Sequence, residues 1–275
     1  MRIAVMGAGG VGGYFGGLLA RDGADVTFVA RGAHLEALRR AGLTVESPAT
    51  PFTLPAVRAT DDPAAIGPVD VVLFAVKLYD MAEAATAIGP LVGPGTIVVP
   101  LQNGVEAPEI LARAVGREHV AGGVAYIAAV VASPGVVRHA GMQPRLAFGP
   151  LEGPVPAPLT ALKAACDHAG VHATLADDVR RVIWEKFVLL ASVSGLTALT
   201  RHPIGPVRTN PATRALLVES LAETAAVAAA AGVRLAADQP ERTLGFIDAL
   251  PEGMRSSMLE DLERGRRLEV PWLSG

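Results

Sequence analysis

The chain has 275 residues, of which 51% are hydrophobic and 19% charged, and its formal net charge at pH 7 is −3. At roughly 150 residues per domain, this length predicts two domains. The near-neutral charge, without a block of like charges, argues against nucleic acid as a partner. The single cysteine, Cys166, excludes an internal disulfide and favours a reducing compartment.

No membrane-spanning segment is expected. The uncharged stretches Val120–Val137 and Phe187–Thr200 are either interrupted by glycine and proline or too short to span a bilayer. The first residues run directly into a strand pattern without an apolar leader, so we expect no signal peptide. These features together predict a cytoplasmic protein.

The first part of the chain alternates β-rich runs with helical patterns, which is typical of a parallel sheet covered by helices. Predicted strands are Ile3–Met6, Asp25–Ala30, Val69–Val76, Thr96–Pro100 and His119–Ala128, and predicted helices are Gly10–Arg21, His34–Ala41, Met81–Ile88 and Ala107–Val115. The strand at 69–76 is almost continuously apolar, which predicts burial on both faces near the middle of the sheet. Turn signals between Val130 and Pro150 separate short β-prone runs and indicate antiparallel hairpin additions, before a helix at Leu159–His168 and a strand at Val171–Leu175.

After Asp177 the strand patterns give way to helical ones at Val179–Leu199, Ala212–Ala231 and Met254–Arg264. The sequence therefore predicts an α/β protein with two domains. Residues 1–176 form a Rossmann-type doubly wound sheet, and residues 177–275 form an all-helical domain.

A glycine-rich hexapeptide follows the first predicted strand and opens the first predicted helix. Its residues are Gly7, Ala8, Gly9, Gly10, Val11 and Gly12. In a dinucleotide-binding fingerprint the first glycine permits a tight turn, the second admits the pyrophosphate and the third allows the helix to pack on the strand. The position between strand and helix favours a cofactor site over an ordinary glycine turn.

Arg31 follows the second strand, where an NAD enzyme usually has an acidic residue for the ribose 2′-hydroxyl. A guanidinium suits a 2′-phosphate instead, so NADPH is the favoured cofactor. The alternative interpretation is a solvated arginine without a ligand.

Three residues are candidates for chemistry because of their surroundings in the sequence. Lys186 precedes a wholly apolar run, so its amine is either directed to solvent or desolvated, which would lower its pKa. Lys77 and Asn103 follow predicted strands, at the sheet edge where ligands bind in open α/β sheets. For Lys77 a solvated lysine, and for Asn103 an ordinary Asn-Gly turn, remain the alternatives.

Metal and nucleophile sites are not expected. His168 and His172 lie four residues apart, but Gly170 separates them and no further ligand completes a site. Cys166 has no neighbour in the sequence that suggests activation of its thiol.

Taken together, these motifs resemble the ketopantoate reductase family over essentially the whole chain. The matching segments are the glycine motif, Arg31, Lys77, Leu101-Gln102-Asn103-Gly104, Trp184-Glu185-Lys186, Leu196-Thr197-Ala198-Leu199, and Ser256-Ser257 through Asp261 leading to Glu269. The resemblance implies NADPH and a small 2-oxo acid bound between a Rossmann domain and a helical domain, which could also mediate a homodimer.

The resemblance also implies a role for individual residues. Lys186 matches the general acid, and Glu269 matches the carboxylate that orients it and the substrate. Ser257 matches a residue that contacts the substrate carboxylate, and Asn103 one that contacts cofactor and substrate. Lys77 and Arg31 match cofactor-binding residues. Two of the only three lysines in the chain and one of its only two asparagines thus fall on positions that match the family, which supports the assignment.

The sequence departs from the family where asparagines usually follow the catalytic lysine by four and eight residues. Leu190 and Ser194 stand there, so we expect Ser194 in the substrate site and weak binding of the ketopantoate hydroxyl. The expected reaction is the reduction of 2-dehydropantoate (ketopantoate) to pantoate, or of a close analogue. The sequence also ends at Gly275, where family members continue into another helix, which suggests a shortened helical domain. Two alternatives stay open, a related hydroxy-acid dehydrogenase and a non-catalytic NADPH-binding or sensing protein.

Overall fold

The computed structural model describes the backbone of residues 1–275 and the side chains of all but residues 141 and 142. The chain divides into two compact units. The first comprises Met1–Gln102 and Ala107–Val179, and the second comprises Asn103–Glu106 and Arg180–Gly275. The first unit ends at Val179, and the short segment after Gln102 belongs with the helices.

Ten strands and eleven α-helices make up the regular structure of the described chain. The strands are β1 (Arg2–Met6), β2 (Asp25–Val29), β3 (Leu43–Glu46), β4 (Phe52–Leu54), β5 (Arg58–Thr60), β6 (Val71–Phe74), β7 (Ile97–Pro100), β8 (Ala121–Ser133), β9 (Val136–Pro150) and β10 (His172–Leu175). The helices are α1 (Gly10–Arg21), α2 (Gly32–Ala41), α3 (Met81–Ala87), α4 (Ala107–Val115), α5 (Ala157–His168), α6 (Val179–Thr200), α7 (Ile204–Thr209), α8 (Pro211–Ala230), α9 (Gln239–Asp248), α10 (Ser257–Glu263) and α11 (Val270–Leu273).

The first sheet is a parallel, doubly wound sheet, as predicted. Its five strands are ordered β5-β2-β1-β6-β7, and every neighbouring pair is parallel. The chain builds outward from β1 to one side and then returns to add β6 and β7 on the other, so the strand order reverses between β1 and β6. Ligands bind at the carboxyl ends of strands at such a switch point. The four residues of β6 are all buried, in agreement with its apolar sequence.

A second sheet contains the antiparallel hairpin expected between Val130 and Pro150. The 13-residue β8 and the 15-residue β9 form one long antiparallel pair. This pair joins a sheet of order β10-β9-β3-β4, in which β3 and β10 lie parallel to β9. The strands of this hairpin are longer than the short runs that the sequence indicated, because the ladder continues through two register shifts.

Apolar side chains from both sheets form one core in the first unit. Its largest fully buried members include Phe15 of α1, Phe28 of β2 and Phe148 of β9, each exposed by 0%. The helix α1 therefore has apolar neighbours in both sheets, and the glycine motif at its start is held at the edge of a packed core.

The second unit consists of helices around a separate apolar cluster. That cluster includes Val188 and Leu196 of α6, Leu217 and Leu221 of α8, and Ile247 of α9. By length and composition α6 is the one described helix that could cross a membrane, yet half of its most apolar window is buried inside the fold. A long core helix has the same composition, because its apolar faces pack against neighbouring helices.

Candidate active site

The glycine motif forms a tight turn between β1 and α1. Gly7 has a φ of +97°, a conformation that a side chain would strain. The backbone N–H groups of Gly7 and Ala8 both donate to the carbonyl oxygen of Val29, at 3.1 Å each. The turn is therefore fixed to the end of β2, beside the residues that follow that strand.

The other glycines of the motif differ in the space around them. A Cβ at Gly12 would lie 2.1 Å from the carbonyl oxygen of Gly7, and a Cβ at Gly10 would lie 2.1 Å from that of Ala129 in β8. A Cβ at Gly9 would have no atom within 4 Å. Gly12 and Gly10 thus allow close packing inside the protein, whereas Gly9 presents open backbone just before the helix. Together with the N–H groups of the first turn of α1, this surface fits a dinucleotide pyrophosphate.

A histidine that the sequence analysis did not single out supports this turn. The ring of His34 in α2 accepts at Nδ1 from the backbone N–H of Gly135, at 3.1 Å, and therefore donates from Nε2 to the carbonyl oxygen of Ala8, at 2.8 Å. Burial lowers the pKa of His34 below its usual 6.5, which favours the neutral ring that this arrangement requires. Its partners are backbone atoms distant in the sequence, so no local pattern could have indicated its role.

The two cations expected near the cofactor lie in the first unit. Arg31 precedes α2 as its N-cap residue, and its guanidinium donates to the Glu83 carboxylate at 2.7 Å. Lys77 follows β6, and its carbonyl oxygen accepts from the backbone N–H of Asp80 at 2.9 Å. Arg31 and Lys77 thus follow strands on opposite sides of β1, which itself leads into the glycine turn.

Gln102 lies in one of the segments that match the family, but the sequence analysis gave it no role. Its side-chain Nε2 donates to the carbonyl oxygens of Phe74 at 3.0 Å and Val76 at 3.1 Å, at the carboxyl end of β6. A Cβ at Gly7 would lie 2.9 Å from the nitrogen of Val76, so the same segment packs against the glycine turn. Gln102 therefore ties the end of β7 to the segment leading to Lys77.

Lys186, Asn103 and Glu269 interact within the second unit. The Nζ of Lys186 donates to the Oδ1 of Asn103 at 2.8 Å. Burial lowers the pKa of Lys186 from 10.5 to about 8, while the negative charge of Glu269 opposes part of that shift. Glu269 is itself 8% exposed. An amine with this pKa can release a proton near neutral pH, and the Asn103 carbonyl fixes the direction of one of its N–H bonds.

The serines near the site have different environments. Ser256 is the N-cap of α10, where its Oγ accepts from the backbone N–H of Leu259 at 3.1 Å and bonds the Oγ1 of Thr197 at 2.7 Å. Ser257 is exposed at the first position of the helix. Ser194 is 1% exposed, and its Oγ has no hydrogen-bond partner among the described residues. Ser256 is therefore structural, while the hydroxyl of Ser257 is available to a ligand.

Several other candidate groups have plain structural roles. Lys163 pairs with Asp167 one turn along α5, and Asn210 caps α8 by accepting from the backbone of Ala212. Burial raises the pKa of the Cys166 thiol to about 12, so the thiol is not activated. Among the residues that the structure describes, no cluster of histidine, cysteine and carboxylate could hold a metal.

Comparisons with known proteins connect both units with one family. The family model for ketopantoate reductase PanE/ApbA matches residues 3–153, and the model for its C-terminal part matches residues 178–275. A 2-dehydropantoate 2-reductase from Halobacterium salinarum is 34% identical over 278 residues, which cover 100% of this chain and 90% of the relative.

Solved structures agree with this relationship. The crystal structure of 2-dehydropantoate 2-reductase from Geobacter metallireducens GS-15 has a TM-score of 0.92 and 36% identity, covering 99% of this chain and 90% of that one. A D-mandelate dehydrogenase solved with NADH and anilino(oxo)acetate has a TM-score of 0.89, over 99% of this chain and 89% of that one. At 21% identity, the second comparison shows a shared fold.

Proposed function

Because the chain belongs to the ketopantoate reductase family and is thus an oxidoreductase of hydroxyl and ketone carbons, we propose that it reduces a small 2-oxo acid with NADPH. The substrate is 2-dehydropantoate or a close analogue. The observation that carries the proposal is the amine of Lys186, which has a pKa of about 8 and a hydrogen bond to Asn103.

NADPH, when bound, supplies the hydride that reduces the carbonyl carbon of the acid. The residues that would hold it are those of the glycine turn, with Gly9 toward the pyrophosphate, Arg31 toward the 2′-phosphate, and Lys77 on the other side of β1. The open space at Gly9 and the guanidinium after β2 both support this assignment. The preference for NADPH over NADH rests on Arg31.

Lys186 acts on the carbonyl oxygen. As negative charge develops on that oxygen, the ammonium stabilises it and then transfers a proton, which yields the hydroxyl of the product. Asn103 holds the amine in place from one side, and the Glu269 carboxylate keeps the amine protonated at higher pH than burial alone would allow. Ser257 donates its hydroxyl hydrogen to the substrate carboxylate.

The side chain of the substrate meets residues after Lys186 on α6. Leu190 and Ser194 follow Lys186 by one and two helical turns, so they share its face of the helix. Leu190 is apolar, and the hydroxyl of Ser194 is buried. We therefore expect 2-oxo acids with a purely aliphatic side chain to react about as well as ketopantoate, within roughly tenfold in kcat/KM. The same features would suit a hydroxy-acid dehydrogenase that works in the oxidative direction.

The test is NADPH oxidation against a panel of 2-oxo acids, with ketopantoate and 2-oxo-3-methylbutanoate included. Lys186→Ala should lower kcat by about 10²- to 10⁴-fold, because the proton donor is lost. Lys163→Ala is the matched control, since Lys163 pairs with Asp167 at the surface, and it should retain full activity.

Binding of NADPH is followed by fluorescence in parallel, and Lys186→Ala should bind it as the wild type does. Turnover of hydroxy acids with NADP⁺, but of no 2-oxo acid, would favour the dehydrogenase. Tight binding without turnover of any acid in either direction would overturn the proposal and indicate a sensor.

A further inference from the structure

An exposed ion pair links the segments on either side of the glycine turn. The guanidinium of Arg31 lies 2.7 Å from the carboxylate of Glu83, and their side chains are 61% and 68% exposed. Arg31 follows β2, whereas Glu83 lies in the first turn of α3, after β6. Since β1 lies between β2 and β6, the pair joins the two segments that flank the carboxyl end of β1.

The position of this pair is more informative than its contribution to stability. Exposed ion pairs that are held by a single hydrogen bond contribute little to the free energy of unfolding and open readily. The structure gives one contact between the groups, from one guanidinium nitrogen to one carboxylate oxygen, and not a bidentate pair. An anion that binds Arg31 with two parallel hydrogen bonds would displace such a contact.

A 2′-phosphate at Arg31 would therefore meet a carboxylate already in place. The phosphate carries nearly two negative charges at neutral pH, and Glu83 must release the guanidinium and then remain near the incoming anion. NADH has a neutral hydroxyl at the same position, so it does not need Arg31 and is not repelled by Glu83. The carboxylate thus opposes one of the two cofactors selectively.

We propose that Glu83 is a specificity-determining residue, which competes with the cofactor's 2′-phosphate for Arg31 and so reduces the preference for NADPH over NADH. The inference rests on the proposed cofactor site. It adds an opposing element to that site, since specificity is a difference between two affinities and can be tuned by repulsion as well as by attraction.

The test measures binding of both cofactors to the purified full chain, without turnover. Dissociation constants for NADPH and NADH are determined by fluorescence titration, and those for 2′,5′-ADP and 5′-AMP by calorimetry. Glu83→Gln keeps the shape of the side chain and removes its charge. We expect it to tighten binding of NADPH and 2′,5′-ADP about three- to tenfold and to leave NADH and 5′-AMP within twofold.

Two further variants make the result specific. Glu46→Gln is the matched control, because Glu46 forms an exposed ion pair of the same length with Arg138 at 2.7 Å. It should change none of the four constants. In an Arg31→Ala background, the gain from Glu83→Gln should be smaller than in the wild type, since no guanidinium remains to compete for and only the repulsion between Glu83 and the phosphate is left.

The outcomes separate this inference from the cofactor assignment. If Arg31→Ala leaves the preference for NADPH unchanged, the assignment of Arg31 fails. If Arg31→Ala abolishes the preference but Glu83→Gln tightens NADPH binding less than threefold, only the role of Glu83 is overturned. An equal gain for NADPH and NADH would also overturn it, because the effect would then not depend on the 2′-phosphate.

Discussion

The three lysines of the chain have three different environments. Lys163 forms an ordinary surface pair, Lys77 follows a strand beside the glycine turn, and the amine of Lys186 is desolvated and bonded to Asn103. The sequence left open whether Lys186 is solvated or desolvated; in the structure it bonds Asn103, and burial lowers its pKa to about 8. Its partners Asn103 and Glu269 are far away in the chain, so their contacts with Lys186 could not follow from local pattern.

We expect the two adjacent serines at the start of α10, Ser256 and Ser257, to have different functions. Ser256→Ala removes a helix cap and is expected to lower the free energy of unfolding by about 1 kcal/mol. Ser257→Ala changes an exposed side chain and should leave stability within about 0.5 kcal/mol. If Ser257 bonds the substrate carboxylate, its removal raises KM for the acid about tenfold or more.

Thermal unfolding and steady-state kinetics on the two variants check this prediction. Cofactor binding serves as the control, and neither variant should alter it. A KM effect in Ser256→Ala alone, with wild-type kinetics in Ser257→Ala, would contradict the assignment of Ser257.

At the scale of elements, the turn between β1 and α1 is supported by three neighbours. The end of β2 accepts hydrogen bonds from the turn, α2 contributes His34, and β8 lies against Gly10. The hexapeptide alone predicted a cofactor site from its spacing. The hexapeptide could not show that Gly10 packs against β8 while Gly9 faces open space, because β8 is more than a hundred residues away in the chain.

Alanine substitutions in the turn should therefore have opposite effects. Gly10→Ala places a Cβ against the backbone of Ala129 and should destabilise the protein by about 1–3 kcal/mol. Gly9→Ala meets no atom of the protein, so its cost should stay below about 1 kcal/mol. Its methyl group instead faces the proposed pyrophosphate and should weaken NADPH binding at least tenfold.

Unfolding midpoints and fluorescence titrations with NADPH distinguish the two variants. Wild-type affinity in Gly9→Ala would show that the pyrophosphate does not approach this residue. Wild-type stability in Gly10→Ala would show that β8 can move to accommodate the added methyl group.

For the whole molecule, the sequence predicted the order of large elements well. The parallel sheet and the long helices of the second unit follow strong periodic patterns, and their predicted ends lie within a few residues of α6 and α8. Two strands of the second sheet, β3 and β4, were missed because they have only four and three residues, too few to show a period. Its long pair, β8 and β9, contains glycines that allow close approach to neighbouring backbone, as Gly123 does to the Pro100 carbonyl.

The central claim is that Lys186 delivers a proton to the substrate, and the pH dependence of kcat/KM for NADPH-dependent reduction tests it most directly. Lysine donates only as the ammonium, so the rate should be full at pH values below its pKa and fall as the pH rises through about 8. Glu269 raises this pKa, so Glu269→Gln should move the descending limb to lower pH. A rate that stays constant up to about pH 10 would contradict the role of Lys186, and an identical limb in wild type and Glu269→Gln would contradict the influence of Glu269 on its pKa.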